Sequence, residues 1–422
     1  MVKKVGIIGL GIVGEATLNS LLHYQSLIKK RTSLTVCVSK VCDINPRKKK
    51  LIRDRKVKFT SNPHEVLNDP EIDVVVELIG GIHPAKGFIL EALKNKKHVV
   101  TANKALLATS GKEIFQYAHR AGRNIGFEAS VCGAIPLIKS ISEGLIGCDV
   151  RSLYGILNGT TNYILYKMSQ EQMSFKDALK DAQAAGFAEK HPHLDIEGKD
   201  TVYKLCILSY LSFGVWPNVH EIFVEGISKI NPLDILYAHD LAYRIKLLAI
   251  ARKEKKTLSL RVHPTLIRED HPLSEVDCAV NGVWLDTHPA GELLFYGEGA
   301  GGVPTSSAII ADIVSVCVNR GVFAREEWNC TMKSIDELRT RYYLRCMVLD
   351  MPGVLAKITR ILALHKISIA SVHQKERAQG EFVPIVLITH DVQESNVKNA
   401  LQEIDKLKEV KKTSQCIRIE DI

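Results

Sequence analysis

Residues 4–22 read KVGIIGLGIVGEATLNSLL. A short apolar run, Val5 to Ile8, ends in glycines spaced G-x-G-x-x-G (Gly9, Gly11, Gly14), and a segment with Leu18, Leu21 and Leu22 on one face follows. That order predicts a buried strand, a tight turn and a helix. Each glycine has its own part in such a unit. Gly9 permits the turn, Gly11 lets the backbone approach a pyrophosphate, and Gly14 allows close helix packing. Ile12 and Val13 open the helix, whose N-terminus attracts the anion. An acidic residue, Asp43, ends the next apolar run 29 positions after Gly14, a stretched form of the roughly 20-residue interval at which a carboxylate meets a ribose. Arg47 and Lys48 to Lys50 lie just beyond and suit a 2′-phosphate, so NAD and NADP both remain open. The same glycines would also serve a βα turn that binds nothing.

Outward from this unit the pattern repeats. LTVCVSKVCD, DVVVELIG, KHVVTAN and NIGFEASV read as four further strands separated by polar or helical segments, which predicts a doubly wound, Rossmann-type parallel sheet over residues 1–135. From Pro136 the character changes to amphipathic helices such as FKDALKDAQAAGF and DILYAHDLAYRIKLLAIARKEKK, with strands such as LSLRVHPTLI, and an α+β domain is expected over 136–325. After a polar connector, residues 340–422 read as βαββαβ, the ferredoxin-like plan.

Composition narrows the function. The chain has 422 residues, 46% of them apolar, with 56 Lys+Arg against 47 Asp+Glu for a net +9. The excess is spread along the chain, which argues against nucleic acid. No window approaches the 18 to 20 apolar residues of a membrane span. Ten scattered cysteines without a C-x-x-C pair read as reduced thiols of a cytoplasmic protein. The lysines and apolar run at the N-terminus are read as a first strand rather than a signal peptide.

Four more stretches carry chemistry: VTANKALLA (100–108), FEASVCGAIP (127–136), NGTTNYIL (158–165) and GFAEKHPHLDIEGKD (186–200). With the late glycine loop GEGAGGVPTSSAIIADI (297–313), they make the chain resemble homoserine dehydrogenase from residue 5 to about 320. The resemblance implies reversible hydride transfer between NAD(P)H and L-aspartate 4-semialdehyde, with L-homoserine as the alcohol, in threonine, methionine and isoleucine biosynthesis. It implies Lys204 as acid/base, Lys104 near nicotinamide and substrate, and Glu189 and Asp200 on the substrate's polar groups. Gly186, Gly301 and Gly302 would border the cofactor. A sodium ion would sit at Glu128 and the carbonyls of Val131, Gly133 and Ile135. Where this chain has Lys190-His191 the family usually has an acidic or small pair, and where it has Cys132, commonly glycine.

The residue chemistry runs parallel to the resemblance. Hydride addition builds negative charge on an aldehyde oxygen, and a lysine can both neutralise it and give a proton. Asp200 precedes Lys204 by four residues, on one helical face and in the favourable order. The substrate's ammonium calls for a carboxylate such as Glu189 or Asp195. Taken alone, Asp200 and Lys204 also fit an exposed ion pair, and Lys104 a strand-to-helix cap. Cys132 would be the nucleophile of an acylating semialdehyde dehydrogenase, an alternative that lacks an accompanying histidine motif; a buried filler is the other reading. His191 and His193 read as solvated.

The C-terminal unit resembles an ACT domain through DMPGVLAKI (350–358). Asp350, Gly353 and Val354 would then receive an amino-acid effector, with L-threonine the expected one, and deleting everything after about residue 335 should leave activity without sensitivity to it. A pairing module without an effector, or a non-catalytic amino-acid sensor, is the alternative. Exposed sheet edges in such a unit predict a homodimer or homotetramer.

Overall fold

The computed structural model describes residues 2–52, 56–318, 328–375 and 380–422. The chain starts with β1 (Val2–Ile8), α1 (Ile12–His23), α2 (Gln25–Thr32), β2 (Thr35–Cys42), β3 (Lys58–Thr60), α3 (His64–Leu67), β4 (Val74–Glu77), α4 (Ala85–Lys94), β5 (His98–Thr101), α5 (Lys104–Ala121) and β6 (Ile125–Gly126). It continues through α6 (Leu137–Lys139), β7 (Asp149–Ile156), α7 (Gly159–Gln170), α8 (Phe175–Ala184), α9 (His193–Ile196), α10 (Lys199–Phe213), β8 (Phe223–Val224), α11 (Pro232–Asp240), β9 (Tyr243–Glu254) and β10 (Thr257–Arg268). Then come β11 (Val280–His288), β12 (Gly291–Glu298), α12 (Gly302–Cys317), β13 (Thr331–Met332), β14 (Arg339–Leu349), α13 (Val354–Leu364), β15 (Ile369–His373), β16 (Phe382–Thr389), β17 (Val392–Gln393), α14 (Glu394–Ile404) and β18 (Val410–Ile419).

Contacts gather these elements into two compact units that interleave along the chain. One holds Met1–Gly159, Lys199–Ile222 and Ala279–Asn329, the other Thr160–Gly198, Phe223–Cys278 and Cys330–Ile422. The consecutive domains expected from composition carry no mark of this interleaving, and residue 325, the expected end of the middle domain, lies outside the described residues.

In the first unit six parallel strands run in the order β3-β2-β1-β4-β5-β6, the nucleotide-binding order with the reversal beside β1. Val5, Ile7, Val74, Val76 and Val100 fill its core together with Ile309 and Ile313 of α12, so a helix some 300 residues along the chain completes the layer over the first strand. Two expectations change here. β3 is an added strand, only three residues long and too short to show a period. NIGFEASV keeps only Ile125–Gly126 as strand, because the Glu128 amide donates to Asp312 Oδ2 (2.7 Å) instead of to a ladder. β7 pairs antiparallel with β11, and β11 with β12.

The second unit contains a sheet in the order β9-β10-β18-β14-β16-β15. Its last four strands, with α13 and α14 packed on them, are the expected βαββαβ unit, and β18 joins them to β10 in parallel. DILYAHDLAYRIKLLAIARKEKK is not one helix: α11 ends at Asp240, Ala242 turns with φ 58°, and β9 pairs along its whole length with β10. Leu, Ala, Lys and Arg favour helix locally, but two-sided burial in a sheet overrides that preference.

Buried charges bind the C-terminal strands into this unit. Arg345 on β14 grips Asp234 of α11 with two bonds (2.6 and 3.0 Å), Arg418 on β18 reaches Glu394 and Glu225, and Arg261 on β10 meets Glu420. Asp234 is 0% exposed and Arg345 8%. Arg345→Met leaves a buried carboxylate without its cation and is expected to cost about 3–5 kcal/mol, measured by urea unfolding; a loss under about 1 kcal/mol, the range of an exposed pair, would contradict the buried placement.

Candidate active site

The first glycine turn is built by steric necessity at two positions and openness at the third. At Gly9 (φ 98°) a Cβ would lie 2.7 Å from the Leu78 carbonyl, and at Gly14 one would lie 2.0 Å from the Gly9 carbonyl. At Gly11 a Cβ would meet nothing within 4 Å. The Asp43 carboxylate fastens the turn to the end of β2, taking the Leu10 amide on Oδ2 (2.7 Å) and the Asn45 amide on Oδ1 (2.8 Å). No side chain caps α1, so the amides after Gly11, from Ile12 and Val13 onward, begin a helix with an uncapped positive end.

The late glycine loop meets this turn. Gly301 (φ 114°) precedes α12, and a Cβ on Gly302 would come within 3.1 Å of Ile12 Cγ2 and 3.2 Å of its carbonyl. Ser20 and Ser306 hydrogen-bond at 2.9 Å beneath it. Ile12 and Val303 remain 82% and 69% exposed, two apolar side chains left uncovered at the mouths of two helices. The structure thus assembles Gly9, Gly11, Ile12, Val13, Gly14, Asp43, Gly301 and Gly302 in one place.

Lys104, Asp200 and Lys204 converge in the same unit. Lys104 opens α5 at the carboxyl end of β5, where Asn103 caps the helix by accepting from the Leu106 amide (3.1 Å) and donates to the Gly81 carbonyl (2.6 Å). α10 carries Asp200 and Lys204 one turn apart, and both are buried, at 4% and 7% exposure. Asp200 Oδ1 pairs with Lys104 Nζ at 2.6 Å, and Oδ2 with Lys204 Nζ at 2.8 Å. Asn158 adds a donor to Oδ2 at 2.9 Å. Burial would raise the Asp200 pKa, but the two ammonium groups outweigh it and hold the carboxyl well below the usual carboxylate range. The Lys204 ammonium also donates to the Leu157 carbonyl at 2.5 Å. The exposed i,i+4 pair considered above is therefore not what forms.

Behind the cluster lies the 128–135 loop, bent by positive φ at Cys132 (55°) and Gly133 (46°). Burial pushes the Cys132 thiol up to about 11, beyond what the Lys204 charge and Asn281 amide offset, so it is a poor nucleophile at neutral pH. Glu128 accepts the Ile138 and Lys139 amides (2.7 and 3.0 Å), and burial, followed by the Asp312 carboxylate, raises its pKa to about 7. Asp312 itself rises to about 6 through burial, with Lys139 at 3.3 Å opposing. The Ile135 carbonyl accepts from the Leu137 amide. Among the described residues no three His, Cys, Asp or Glu side chains gather as metal ligands.

The remaining candidates belong to the second unit. Gly186 (φ 78°) follows the end of α8, a place where a left-handed residue stops a helix. Glu189 is exposed, Asp195 half-buried on α9, and Lys190, His191 and His193 exposed. In the C-terminal sheet, Gly353 (φ 90°) precedes α13 with open space around it, Val354 is buried, and the Asp350 amide bonds to the Glu381 carbonyl. Sequence reasoning does not single out Asn103, Asn158, Asn281, Lys139 or Asp312; three of them sit inside the quoted motifs, but nothing in a motif says where an amide or carboxylate points.

Models of known families match three stretches: "Homoserine dehydrogenase, NAD binding domain" over residues 9–128, "Homoserine dehydrogenase" over 136–314, and "ACT domain" over 342–409. A homoserine dehydrogenase of Neisseria gonorrhoeae is 40% identical over 430 residues, covering 99% of both chains. The crystal structure of a homoserine dehydrogenase from Thiobacillus denitrificans superposes with TM-score 0.93 at 42% identity, over 100% of this chain and 99% of that one. A hyperthermophilic archaeal homoserine dehydrogenase in complex with NADPH matches with TM-score 0.63 at 26% identity, over 76% of this chain and 98% of that one.

Gly11 offers a clean test of the cradle. Gly11→Ala adds a methyl that touches no protein atom, so the melting temperature should stay within about 2 °C of the parent, while affinity for NADPH, followed by fluorescence titration, should fall about tenfold or more; unchanged affinity would remove the turn from the cofactor site.

Proposed function

This chain belongs to the homoserine dehydrogenase family and is an NAD(P)-dependent oxidoreductase that interconverts L-homoserine and L-aspartate 4-semialdehyde, and from that premise we propose that Lys204 is its acid/base, with Asp200 and Lys104 holding it in place. The observation that carries the proposal is the Lys104–Asp200–Lys204 chain, buried at Asp200 and Lys204 and open at Lys104. The residues of the cradle fit a dinucleotide: Gly11 leaves open space where a side chain would stand, and α1 starts uncapped. When bound there, the nicotinamide supplies the hydride chemistry.

The protein's own part is the proton. As the aldehyde carbon is reduced, its oxygen gathers negative charge, and the Lys204 ammonium stabilises and then protonates it. In the reverse direction neutral Lys204 takes the proton from the homoserine hydroxyl. Asp200 has no proton of its own to give at neutral pH, since its carboxyl is held far below the ordinary range; it fixes the position of the amine through 2.8 Å contact. Lys104, 44% exposed, is the cation left facing the open side, where it meets the polar groups of the substrate. By family resemblance alone, we assign Glu189 and Asp195 to recognition of the substrate ammonium and Gly186 to the glycines matched to the cofactor.

NADP is the better fit of the two cofactors. The residues after Asp43, Arg47, Lys49 and Lys50, line a cavity of about 950 Å³ with Lys40, Lys58 and one carboxylate, Glu65, a predominantly cationic wall that favours a 2′-phosphate over a ribose hydroxyl. The archaeal relative in complex with NADPH is in keeping with this. A sodium ion at the 128–135 loop would rest on the carbonyls of Val131, Gly133 and Ile135 with Glu128. An oxygen-only donor set suits a hard cation, and a cation would offset the cost of ionising Glu128. The acylating reading through Cys132 has a thiol pushed to about 11 against it.

The ACT domain gives the enzyme an amino-acid effector site, which we assign to L-threonine at Asp350, Gly353 and Val354. Deleting residues beyond 335 is not a neutral way to test this, because it strips the partners from Asp234, Glu225 and Arg261. Exposed strand edges favour a homodimer or homotetramer.

For the catalytic proposal, Lys204→Ala should lower kcat for homoserine oxidation by about two orders of magnitude or more, with NADPH affinity retained. Parental turnover in that variant would overturn it.

A further inference from the structure

Asn281 is a buried side chain that touches both the support of Lys204 and the late glycine loop. It lies on β11, 1% exposed. Its Nδ2 donates to the Leu157 carbonyl at 3.2 Å, the same oxygen that accepts from Lys204 Nζ at 2.5 Å. The two nitrogens share one acceptor, so the carbonyl cannot turn from the amide without moving the ammonium. On its other side Asn281 fills the space beneath Gly299, where a Cβ would fall 2.2 Å from its Cγ and Nδ2. A Cβ at Gly133 would in turn lie 2.7 Å from the Gly299 carbonyl. Asn281 Oδ1 is buried with no hydrogen-bond partner among the described residues, an arrangement that costs about 1–3 kcal/mol. Leucine has the same branched shape and carries no acceptor to leave unpaired, so an apolar packing role alone does not account for an asparagine here.

We propose that Asn281 is a positioning residue for the reaction: it fixes the Leu157 carbonyl that docks Lys204, and through its seat under Gly299 it ties the proton-transfer group to the glycine loop bordering the cofactor. This rests on the reading of Lys204 as acid/base. Asn281 touches no reacting atom. Its effect passes through the direction of one N–H bond on Lys204, and a misplacement of about 1 Å at such a group is worth up to about a hundredfold in rate.

A double-mutant cycle in the full-length protein tests this, reading kcat and KM for homoserine at saturating NADP and, separately, the Kd of NADPH by fluorescence. Asn281→Ala is expected to lower kcat about tenfold or more, with the homoserine KM and NADPH Kd changed by less than about threefold. In a Lys204→Ala background the same substitution should change kcat by less than about twofold, because the group it positions is gone. Asn281→Ser, which keeps a small donor, should restore part of the loss and serves if the alanine variant does not fold. Equal losses in both backgrounds, or parental kcat in both single Asn281 variants, would overturn the proposal. Parental kcat in Lys204→Ala alone would instead overturn the acid/base reading beneath it.

Discussion

A carboxylate removed from water costs several kcal/mol unless cations and donors surround it, and Asp200, 4% exposed, has two ammonium groups and an amide around it. Its partners come from three places in the chain: Lys104 at the end of a parallel strand, Lys204 one turn along α10, and Asn158 just before α7. Satisfying this one charge therefore fixes the nucleotide-binding sheet, the buried helix and the 157–158 turn relative to each other. The same satisfaction creates the chemistry, since the carboxylate that needs cations is what keeps an amine in a fixed direction at the site.

The cofactor side obeys a different constraint, the exclusion of side chains. Gly14 and Gly302 are packed so closely that any Cβ would crowd backbone or a neighbouring helix, while Gly11 has space that the protein leaves open. α12 contributes both the second glycine turn and the core residues Ile309 and Ile313 beneath β1, so the packing that stabilises the sheet also sets the border of the cradle.

Much of this is legible in the sequence. The glycine spacing, the fully apolar strands and the alternation with helices fix the sheet, and the order βαββαβ in the C-terminal unit follows from period and turn residues. What escapes has physical causes. RIKLLAIAR forms β9 because a neighbouring strand offers it a partner on one edge and burial on both faces, information absent from its local composition. The C-terminal unit reads as separable until Arg345, Arg418 and Arg261 are seen paired with Asp234, Glu394, Glu225 and Glu420. In the site, Asp200 and Lys204 are visible as an i,i+4 pair, but that Lys104 closes the other carboxylate oxygen, and that Asn281 shares an acceptor with Lys204, depends on contacts across 96 and 77 positions of chain.

The electrostatic tie between Asp200 and Lys204 is read most directly by the pH dependence of kcat for homoserine oxidation in Asp200→Asn. Oxidation needs Lys204 without its proton, so the rate climbs as pH rises through the lysine's pKa. Removing the neighbouring negative charge disfavours the ammonium, and the rising limb should move to lower pH by about one unit or more, with a lower plateau as the amine loses its anchor. A limb at the parental pH with a parental plateau would show that the titrating group is not held by Asp200, and would contradict the central role given to this buried pair.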